Sequence, residues 1–216
     1  AYEMTSSLVG LGDVYKRQML TERRVHMSKQ ECRQFEQKLA YHTAPSLLGI
    51  KCANLVSLRL DQFDVAEQSA RFNRKAVSRG LKIRLMCRCQ RCMLVLVYNE
   101  KLLSASLADP CRRRILARYG YAPEPDLQRD LDRLAQRMGQ AVEFPHEIGI
   151  FLGYPTEDVE GFIAHKGEHY KLCGSWKVYG DPEQAQRSFR NYERCRKFLC
   201  NKLNQGVDIY HALKIS

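Results

Sequence analysis

The residues best suited to chemistry lie in one stretch of the chain, from 144 to 179, where turn residues alternate with polar and aromatic side chains. His146 and Glu147 could exchange protons near neutral pH, and Cys173 is a candidate nucleophile. Trp176, the only tryptophan of the chain, follows shortly after. Loops of this composition on a rigid scaffold often bind ligands. If the protein is catalytic, we therefore expect acid–base chemistry at His146 and Glu147, with Cys173 as the thiol.

A small anionic ligand or cofactor is the partner that this stretch favours. Short helices predicted to open at Pro145 and Thr156 would present unpaired N–H groups to an anion, and nearby lysines would add positive charge. The candidate ligand-binding residues, which include a group from the N-terminal part, are His42, Lys51, Asn54, Tyr154, Lys171, Trp176 and Lys177. In the alternative interpretation, His146 and Trp176 are structural residues that pack in the core. No nucleophile elbow, phosphate-binding loop or dinucleotide fingerprint accompanies this stretch, which weakens every named enzyme class. The sequence identifies no cofactor.

A metal or redox site is the second hypothesis. His165, His169 and Cys173 follow one another at intervals of four, which suits ligands on one helix face, although a glycine interrupts that helix. Cys195 and Cys200 diverge by about 140° around the last predicted helix, so the two cannot chelate one ion alone. The candidate metal ligands are therefore these five residues, brought together only if the tertiary fold cooperates.

The chain contains nine cysteines, an odd number, and no export signal is visible. This combination argues against a disulfide framework and predicts reduced thiols. Cys87, Cys89 and Cys92 lie on a predicted hairpin among arginines, which favours oxidation or adventitious metal binding. A structural zinc site there would need a fourth ligand.

The excess of positive charge supports a third hypothesis, nucleic-acid binding. The chain has 35 basic and 24 acidic side chains, a formal net charge of +11. A stretch without acidic residues carries Arg71, Arg74, Lys75, Arg79, Lys82, Arg84, Arg88 and Arg91. Such a face attracts phosphates, but no known nucleic-acid-binding motif accompanies it. A solvated basic surface is the simpler interpretation.

Hydrophobic periodicity predicts an α/β (α+β) fold. We expect a small mixed or antiparallel sheet with a central hairpin, surrounded by about six to eight helices, and a helix-rich C-terminal half. The first helix begins at a capping box of Ser28 and Glu31 and is expected to stop at Pro45. The last helix has Asp181 as its N-cap. Strands are predicted at 55–60, 82–88 and 92–98, and further helices at 62–78, 109–119, 126–138, 147–152 and 157–166.

A single globular domain is expected over residues 27–206, followed by a C-terminal tail at 207–216. Residues 1–26 are interpreted as a non-native or disordered extension, because residues 6–18 show neither helical nor strand periodicity. No apolar run approaches the length of a membrane span. We therefore expect a cytoplasmic protein with no membrane partner, and the sequence leaves its oligomeric state open.

Three segments resemble a known family. They read YHTAPSLLGIK-x-ANL from Tyr41, EFPHEIGIFLGYP from Glu143 and KLCG-x-WKVYG from Lys171. The segments are similar to signatures of a bacterial domain-of-unknown-function family numbered 3793, and the similarity extends from about residue 31 to residue 203. The resemblance implies a compact cytoplasmic protein of anaerobic bacteria without an established activity. Cys173 belongs to the shared pattern, whereas the hairpin cysteines do not. We predict that the three segments converge around one cavity.

Overall fold

A three-stranded antiparallel sheet lies at the centre of the computed structural model, which describes residues 28–140 and 144–215. The strand order is β1–β3–β2, with β1 at Ala53–Arg59, β2 at Leu81–Arg88 and β3 at Cys92–Asn99. A second sheet is a hairpin of two short strands, β4 at Leu172–Cys173 and β5 at Lys177–Val178. The predicted extension at 1–26 lies outside the described residues.

Nine α-helices surround these sheets in the described part of the chain, and the mixed α+β prediction is confirmed. They are α1 (Lys29–Leu47), α2 (Val65–Lys75), α3 (Glu100–Leu107), α4 (Pro110–Ala117), α5 (Leu127–Gln140), α6 (Ile148–Phe151), α7 (Thr156–Ala164), α8 (Pro182–Asn204) and α9 (Ile209–Ala212). None of these helices is both long and apolar enough to cross a bilayer.

The middle strand β3 is covered on both of its faces, as its nearly continuous apolar sequence predicts. Alternate residues of a strand point to opposite sides. Val95 and Val97 pack into one hydrophobic cluster together with α1, α2, α8 and α9. Leu96 and Tyr98 pack into a second cluster, which α3 to α7 complete. The predicted tail contributes to the first cluster, because Ile209 is buried there.

The first helix begins where the sequence predicts. The Ser28 hydroxyl accepts the N–H of Glu31 at 3.1 Å, and the Glu31 carboxylate accepts the N–H of Ser28 at 2.7 Å. The predicted stop at Pro45 is wrong, because α1 continues to Leu47. A proline in the last turn removes only the hydrogen bond to the carbonyl of Tyr41.

The turn after α1 fixes the position of the following lysine. The Pro45 carbonyl accepts the N–H groups of Ile50 at 2.8 Å and of Lys51 at 3.1 Å. The chain then enters β1 two residues later, at Ala53. Lys51 is thereby held where α1 meets the sheet, and its side chain points into the protein, since the residue is only 6% exposed.

Candidate functional site

A cleft of about 330 Å³ lies between the segment around α6 and α7 and the β4–β5 hairpin. We call it the hairpin cleft. Its walls are mostly apolar, formed by Phe144, His146, Ile148, Gly149, Tyr154, Asp158, Val159, Phe162, Cys173, Gly174, Ser175, Trp176 and Lys177. Five predicted site residues therefore meet in one cleft, and they are His146, Tyr154, Cys173, Trp176 and Lys177.

Trp176 forms a fixed wall of this cleft. Its indole is stacked on the Tyr154 ring, with centroids 4.9 Å apart and an interplanar angle of 25°. The ring of Phe189, from α8, contacts the indole edge to face at 4.6 Å. The indole is therefore packed against two rings from different parts of the chain, Tyr154 from the segment after α6 and Phe189 from α8.

The Asp158 carboxylate, which the sequence did not indicate as a site residue, also holds the indole in place. Asp158, in the first turn of α7, is buried, and its Oδ2 accepts the Trp176 Nε1–H at 2.7 Å. Its Oδ1 accepts the backbone N–H groups of Tyr179 at 2.6 Å and Gly180 at 2.7 Å. Buried carboxylates require such partners. An acidic residue in a first helical turn is ordinary, so nothing in the sequence marked Asp158 as the anchor of the hairpin.

Close contact between α7 and the hairpin depends on a glycine. A Cβ atom at Gly161 would lie 2.4 Å from Cγ of Tyr179. The absence of a side chain therefore lets the tyrosine ring rest on the helix backbone. The Tyr179 ring also stacks on that of His165, with the planes within 10° of parallel.

Three polar groups lie at the rim of the hairpin cleft. His146 is exposed and packs edge to face on Phe162, with ring centroids 5.1 Å apart. The Lys177 ammonium donates to the Gly167 carbonyl at 2.6 Å. Cys173 is exposed and pairs with Lys177 across the hairpin. An imidazole, an ammonium and a thiol are therefore available to a molecule in the cleft.

Glu147 is separated from the cleft although it follows His146 in sequence. It is fully buried, and its carboxylate accepts the guanidinium of Arg137 and the hydroxyl of Tyr121. Burial, with a smaller contribution from this carboxylate, raises the pKa of the Tyr121 phenol far above its usual value. The structure therefore places Glu147 in a buried ion pair and leaves only His146 of the predicted acid–base pair at the cleft.

Lys51 lies behind the cleft rather than in it. Its Nζ atom is 4.9 Å from the centroid of the Tyr154 ring and 5.4 Å from that of Tyr192. Burial lowers the pKa of Lys51 to about 8. Lys51 contacts Tyr154, and Tyr154 contacts Trp176. Each of these three residues comes from a different signature segment.

The other predicted ligand-binding residues lie elsewhere. The Lys171 ammonium donates to the Gly180 carbonyl at 2.8 Å on an exposed part of the hairpin. The Asn54 side chain accepts the Ser46 hydroxyl at 2.7 Å. His42 lines a separate groove between α1 and α8, where partial burial, followed by the nearby cations Lys38 and Arg196, lowers its pKa.

The five candidate metal ligands are not gathered around one point. The His165 and His169 rings are 5.8 Å apart, edge to face, whereas Cys173 lies at the rim of the hairpin cleft. Cys195 and Cys200 pack against the first hydrophobic cluster. Within residues 28–140 and 144–215, no three histidine, cysteine, aspartate or glutamate side chains are arranged to hold a metal ion.

Half of the basic stretch is neutralised by acidic partners. Among its eight cations, four form ion pairs: Arg71 with Glu36, Arg74 with Glu67, Lys82 with Glu100 and Arg84 with Asp132. A fifth, Lys75, lies over the ring of Tyr210. The contiguous positive face that the nucleic-acid hypothesis requires is thereby reduced.

Comparison with known proteins identifies the family. A family model described as "Protein of unknown function (DUF3793)" matches residues 39–213, a range that contains the cleft residues and all three signature segments. No curated protein and no solved structure matches the chain. Because the family match covers well over half of the sequence, the chain belongs to the DUF3793 family.

Proposed function

We propose that the protein binds a small planar ligand that combines an apolar ring system with an anionic group, and that the hairpin cleft holds it. The observation that carries this proposal is an aromatic-walled cleft of about 330 Å³ with an ammonium group at its rim. Small-molecule sites are typically concave and mostly apolar, with a few polar groups that fix the orientation of the ligand.

The walls suit a flat apolar molecule. Three aromatic residues, Phe144, Phe162 and Trp176, are among those that line the cleft. Trp176 is held rigid by its hydrogen bond to Asp158 and by stacking on Tyr154. A rigid wall costs little conformational entropy when a ligand packs on it.

The charges at the cleft favour an anion over a cation. Asp158 accepts three hydrogen bonds, so its carboxylate is already satisfied by donors of the hairpin. Lys177 donates to one carbonyl and has further N–H groups to offer. A charge-assisted hydrogen bond from this ammonium would select ligands that carry a carboxylate, sulfonate or phosphate.

Binding can be measured with two dyes of matched shape. 8-Anilinonaphthalene-1-sulfonate carries an anionic group, and N-phenyl-1-naphthylamine has the same ring system without it. Trp176 is the only tryptophan in the chain, so its emission reports directly on the cleft. We expect both dyes to quench Trp176 saturably by energy transfer, and the sulfonate to bind about tenfold more tightly, equivalent to about 1.4 kcal/mol.

The Lys177→Gln variant tests the assigned cation. We expect it to lower the affinity for the sulfonate about tenfold and to leave the neutral dye unaffected. Lys171→Gln is the matched control, because this lysine also donates to a backbone carbonyl, that of Gly180, but lies outside the cleft. Circular dichroism would verify that each variant is folded. Equal affinities of wild type and Lys177→Gln for the sulfonate, or an unchanged Trp176 emission with both dyes, would contradict the proposal.

A further inference from the structure

Two cysteines face each other across the turn that joins β2 to β3, residues 89–92. The N–H of Cys89 donates to the Cys92 carbonyl at 2.9 Å, which continues the register that pairs Arg88 with Met93. The Cys89 Sγ atom lies 3.3 Å from the same carbonyl oxygen, so this thiol is turned towards the opposite strand. Both thiols lie outside the hairpin cleft, and the proposed ligand does not use them.

The backbone spacing at this turn suits a disulfide. Hydrogen-bonded residues that lie opposite each other on antiparallel strands have Cα atoms about 5.5 Å apart. The Cα atoms of disulfide-bonded cysteines are usually about 4.4–6.8 Å apart. Opposite residues also direct their side chains to the same face of the sheet. Cys89 and Cys92 can therefore be joined without separating the strands.

The third cysteine of this hairpin, Cys87, is a poorer partner for either thiol. It lies opposite Leu94, so Cys92 is its diagonal neighbour, and diagonal neighbours are about 7–8 Å apart. Cys87 and Cys89 are two residues apart in extended chain, a distance of about 6.6 Å. The Cβ atoms of a disulfide are only about 3.5–4.5 Å apart. Burial also raises the pKa of the Cys87 thiol, which leaves it less of the reactive thiolate.

The turn is open to small molecules. Cys89 is exposed, and Cys92 is partly buried. Arg88 and Arg91 flank the two thiols, and both are exposed. Positive charge raises the local concentration of anions. The turn is therefore accessible to small disulfides that carry carboxylate groups.

We propose that Cys89 and Cys92 form a reversible dithiol–disulfide pair, which small anionic disulfides oxidise. Cys89, the more exposed thiol, is attacked or attacks first, and Cys92 completes the bond within the hairpin. A disulfide at an exposed turn remains accessible to thiol reductants, so the bond can be reversed. The proposal does not rest on ligand binding in the hairpin cleft.

The oxidant is the small disulfide itself, and the reaction proceeds by two exchange steps. The Cys89 thiol loses its proton to water, and the thiolate attacks one sulfur of the small disulfide. The S–S bond of that molecule breaks, and its other half leaves as a thiolate that takes up a proton. The Cys92 thiolate then attacks the Cys89 sulfur and releases the second half as a thiol. Two protein thiols are thereby oxidised, and one small disulfide is reduced to two thiols.

The wild-type chain can be tested with oxidised glutathione at pH 8, followed by alkylation of the remaining thiols. Trypsin cleaves after each arginine of this stretch, so Cys87, Cys89 and Cys92 fall on three separate peptides. Mass spectrometry therefore identifies every linkage. We expect the disulfide between Cys89 and Cys92 to be about tenfold more abundant than either linkage to Cys87, because only the former pair has disulfide spacing. Dithiothreitol should reverse it. A predominant linkage to Cys87, or no disulfide between Cys89 and Cys92, would overturn the proposal.

Two variants assign the order of the steps. Cys92→Ser removes the resolving thiol, so a stable glutathione adduct should accumulate at Cys89. Cys87→Ser is the matched control and should leave the disulfide between Cys89 and Cys92 unchanged. Circular dichroism would verify that each variant is folded. If Cys92→Ser carries no adduct at Cys89, the assigned first step is wrong.

Salt dependence tests the preference for anionic disulfides. The initial rate with oxidised glutathione should fall about threefold from low to high ionic strength, because salt screens the exposed arginines. The rate with the neutral bis(2-hydroxyethyl) disulfide should not change. An equal response of the two reagents would contradict the role of Arg88 and Arg91. Titration of Cys92→Ser with the anionic dye shows whether the hairpin cleft functions independently, so failure of one proposal is distinguished from failure of the other.

Discussion

At the scale of single residues, the protein buries charge in two contrasting ways. The carboxylate of Glu147 is completely enclosed but is paired with Arg137 and bonded to Tyr121. Lys51 is almost as buried, and the charge contacts of its ammonium within the described residues are with the rings of Tyr154 and Tyr192. A paired buried charge can be nearly neutral for stability, whereas an unpaired one is costly. We infer that Lys51 lowers the stability of the fold at neutral pH.

Lys51→Met should therefore stabilise the protein, and the gain should depend on pH. The folded pKa of Lys51, about 8, is below the unfolded value of 10.5, so the unfolded state binds the proton more strongly. The destabilisation by Lys51 is complete below pH 8 and is relieved as the pH rises from 8 to 10.5. Guanidinium chloride unfolding at pH 7 should give a gain of about 1–3 kcal/mol for Lys51→Met, which shrinks at pH 9.5.

The exposed Lys171→Met provides the control for that measurement. It should change the free energy of unfolding by less than about 0.5 kcal/mol at either pH. A loss of stability in Lys51→Met at pH 7 would show instead that the contacts with the two rings outweigh the cost of burying the ammonium.

Residue types alone separated cleft residues from structural ones only in part. His146, Cys173, Trp176 and Lys177 could be selected because turn-rich segments with such side chains often bind ligands, and all four line the hairpin cleft. Glu147 was indistinguishable from its neighbour, because its partner Arg137 belongs to another helix. The direction in which a side chain points depends on contacts between distant parts of the chain. The residue types within one segment do not reveal those contacts.

At the scale of elements, helix α7 (Thr156–Ala164) is the support of the hairpin cleft. Asp158 binds the hairpin through three hydrogen bonds, and Gly161, three residues later, makes room for Tyr179. Residues three apart lie on the same side of a helix. One side of α7 is therefore specialised for holding β5 and the residues that follow it.

Gly161→Ala should weaken this contact even though alanine is the better helix former. The new Cβ would lie 2.4 Å from a Tyr179 ring carbon, so the ring and the hairpin must shift. Overpacking of this kind costs about 1–3 kcal/mol. The expected results are a lower midpoint of urea unfolding and altered Trp176 emission.

Gly139→Ala is the matched control for this variant. It also places alanine inside a helix, but nothing lies within 4 Å of its Cβ position. Helix propensity should then raise stability by about 0.5–1 kcal/mol. Equal gains in both variants would show that the Tyr179 ring accommodates the extra methyl group without cost.

The strands of the central sheet and most helices were predictable, including the four-residue helix α6, but the second sheet was not. The capping box of α1, the strands β2 and β3 and the N-cap of α8 agree with the sequence pattern. The β4–β5 hairpin was not predicted, because strands of two residues show no periodicity. The Asp158 side chain adds to its support by accepting the N–H groups of Tyr179 and Gly180, directly after β5.

At the scale of the whole molecule, the central sheet joins two hydrophobic clusters. Strand β3 contributes alternate residues to each of them. A third, small cluster contains Trp176, Val178 and Ala185, and Tyr154 contacts both it and the second cluster. Because each cluster shares an element or a side chain with the next, we expect the molecule to unfold as one cooperative unit.

Core substitutions on opposite faces of the sheet test this cooperativity. Leu39 belongs to the first cluster and Leu134 to the second, and both are fully buried. Replacement of either leucine by alanine should cost about 2–5 kcal/mol. Far-ultraviolet circular dichroism and Trp176 emission should report the same transition midpoint in each variant. If Leu39→Ala separates the two transitions, the clusters are independent folding units.

Trp176 belongs to the walls of both the hairpin cleft and a second cleft of about 500 Å³, which lies where α4, α7 and α8 begin. A guest that displaces the indole from one side alters the shape offered to a guest on the other. Any such coupling must be reciprocal, so each guest changes the affinity of the other by the same factor. If the indole moves when one cleft is occupied, the affinity of the other cleft for its guest changes as well.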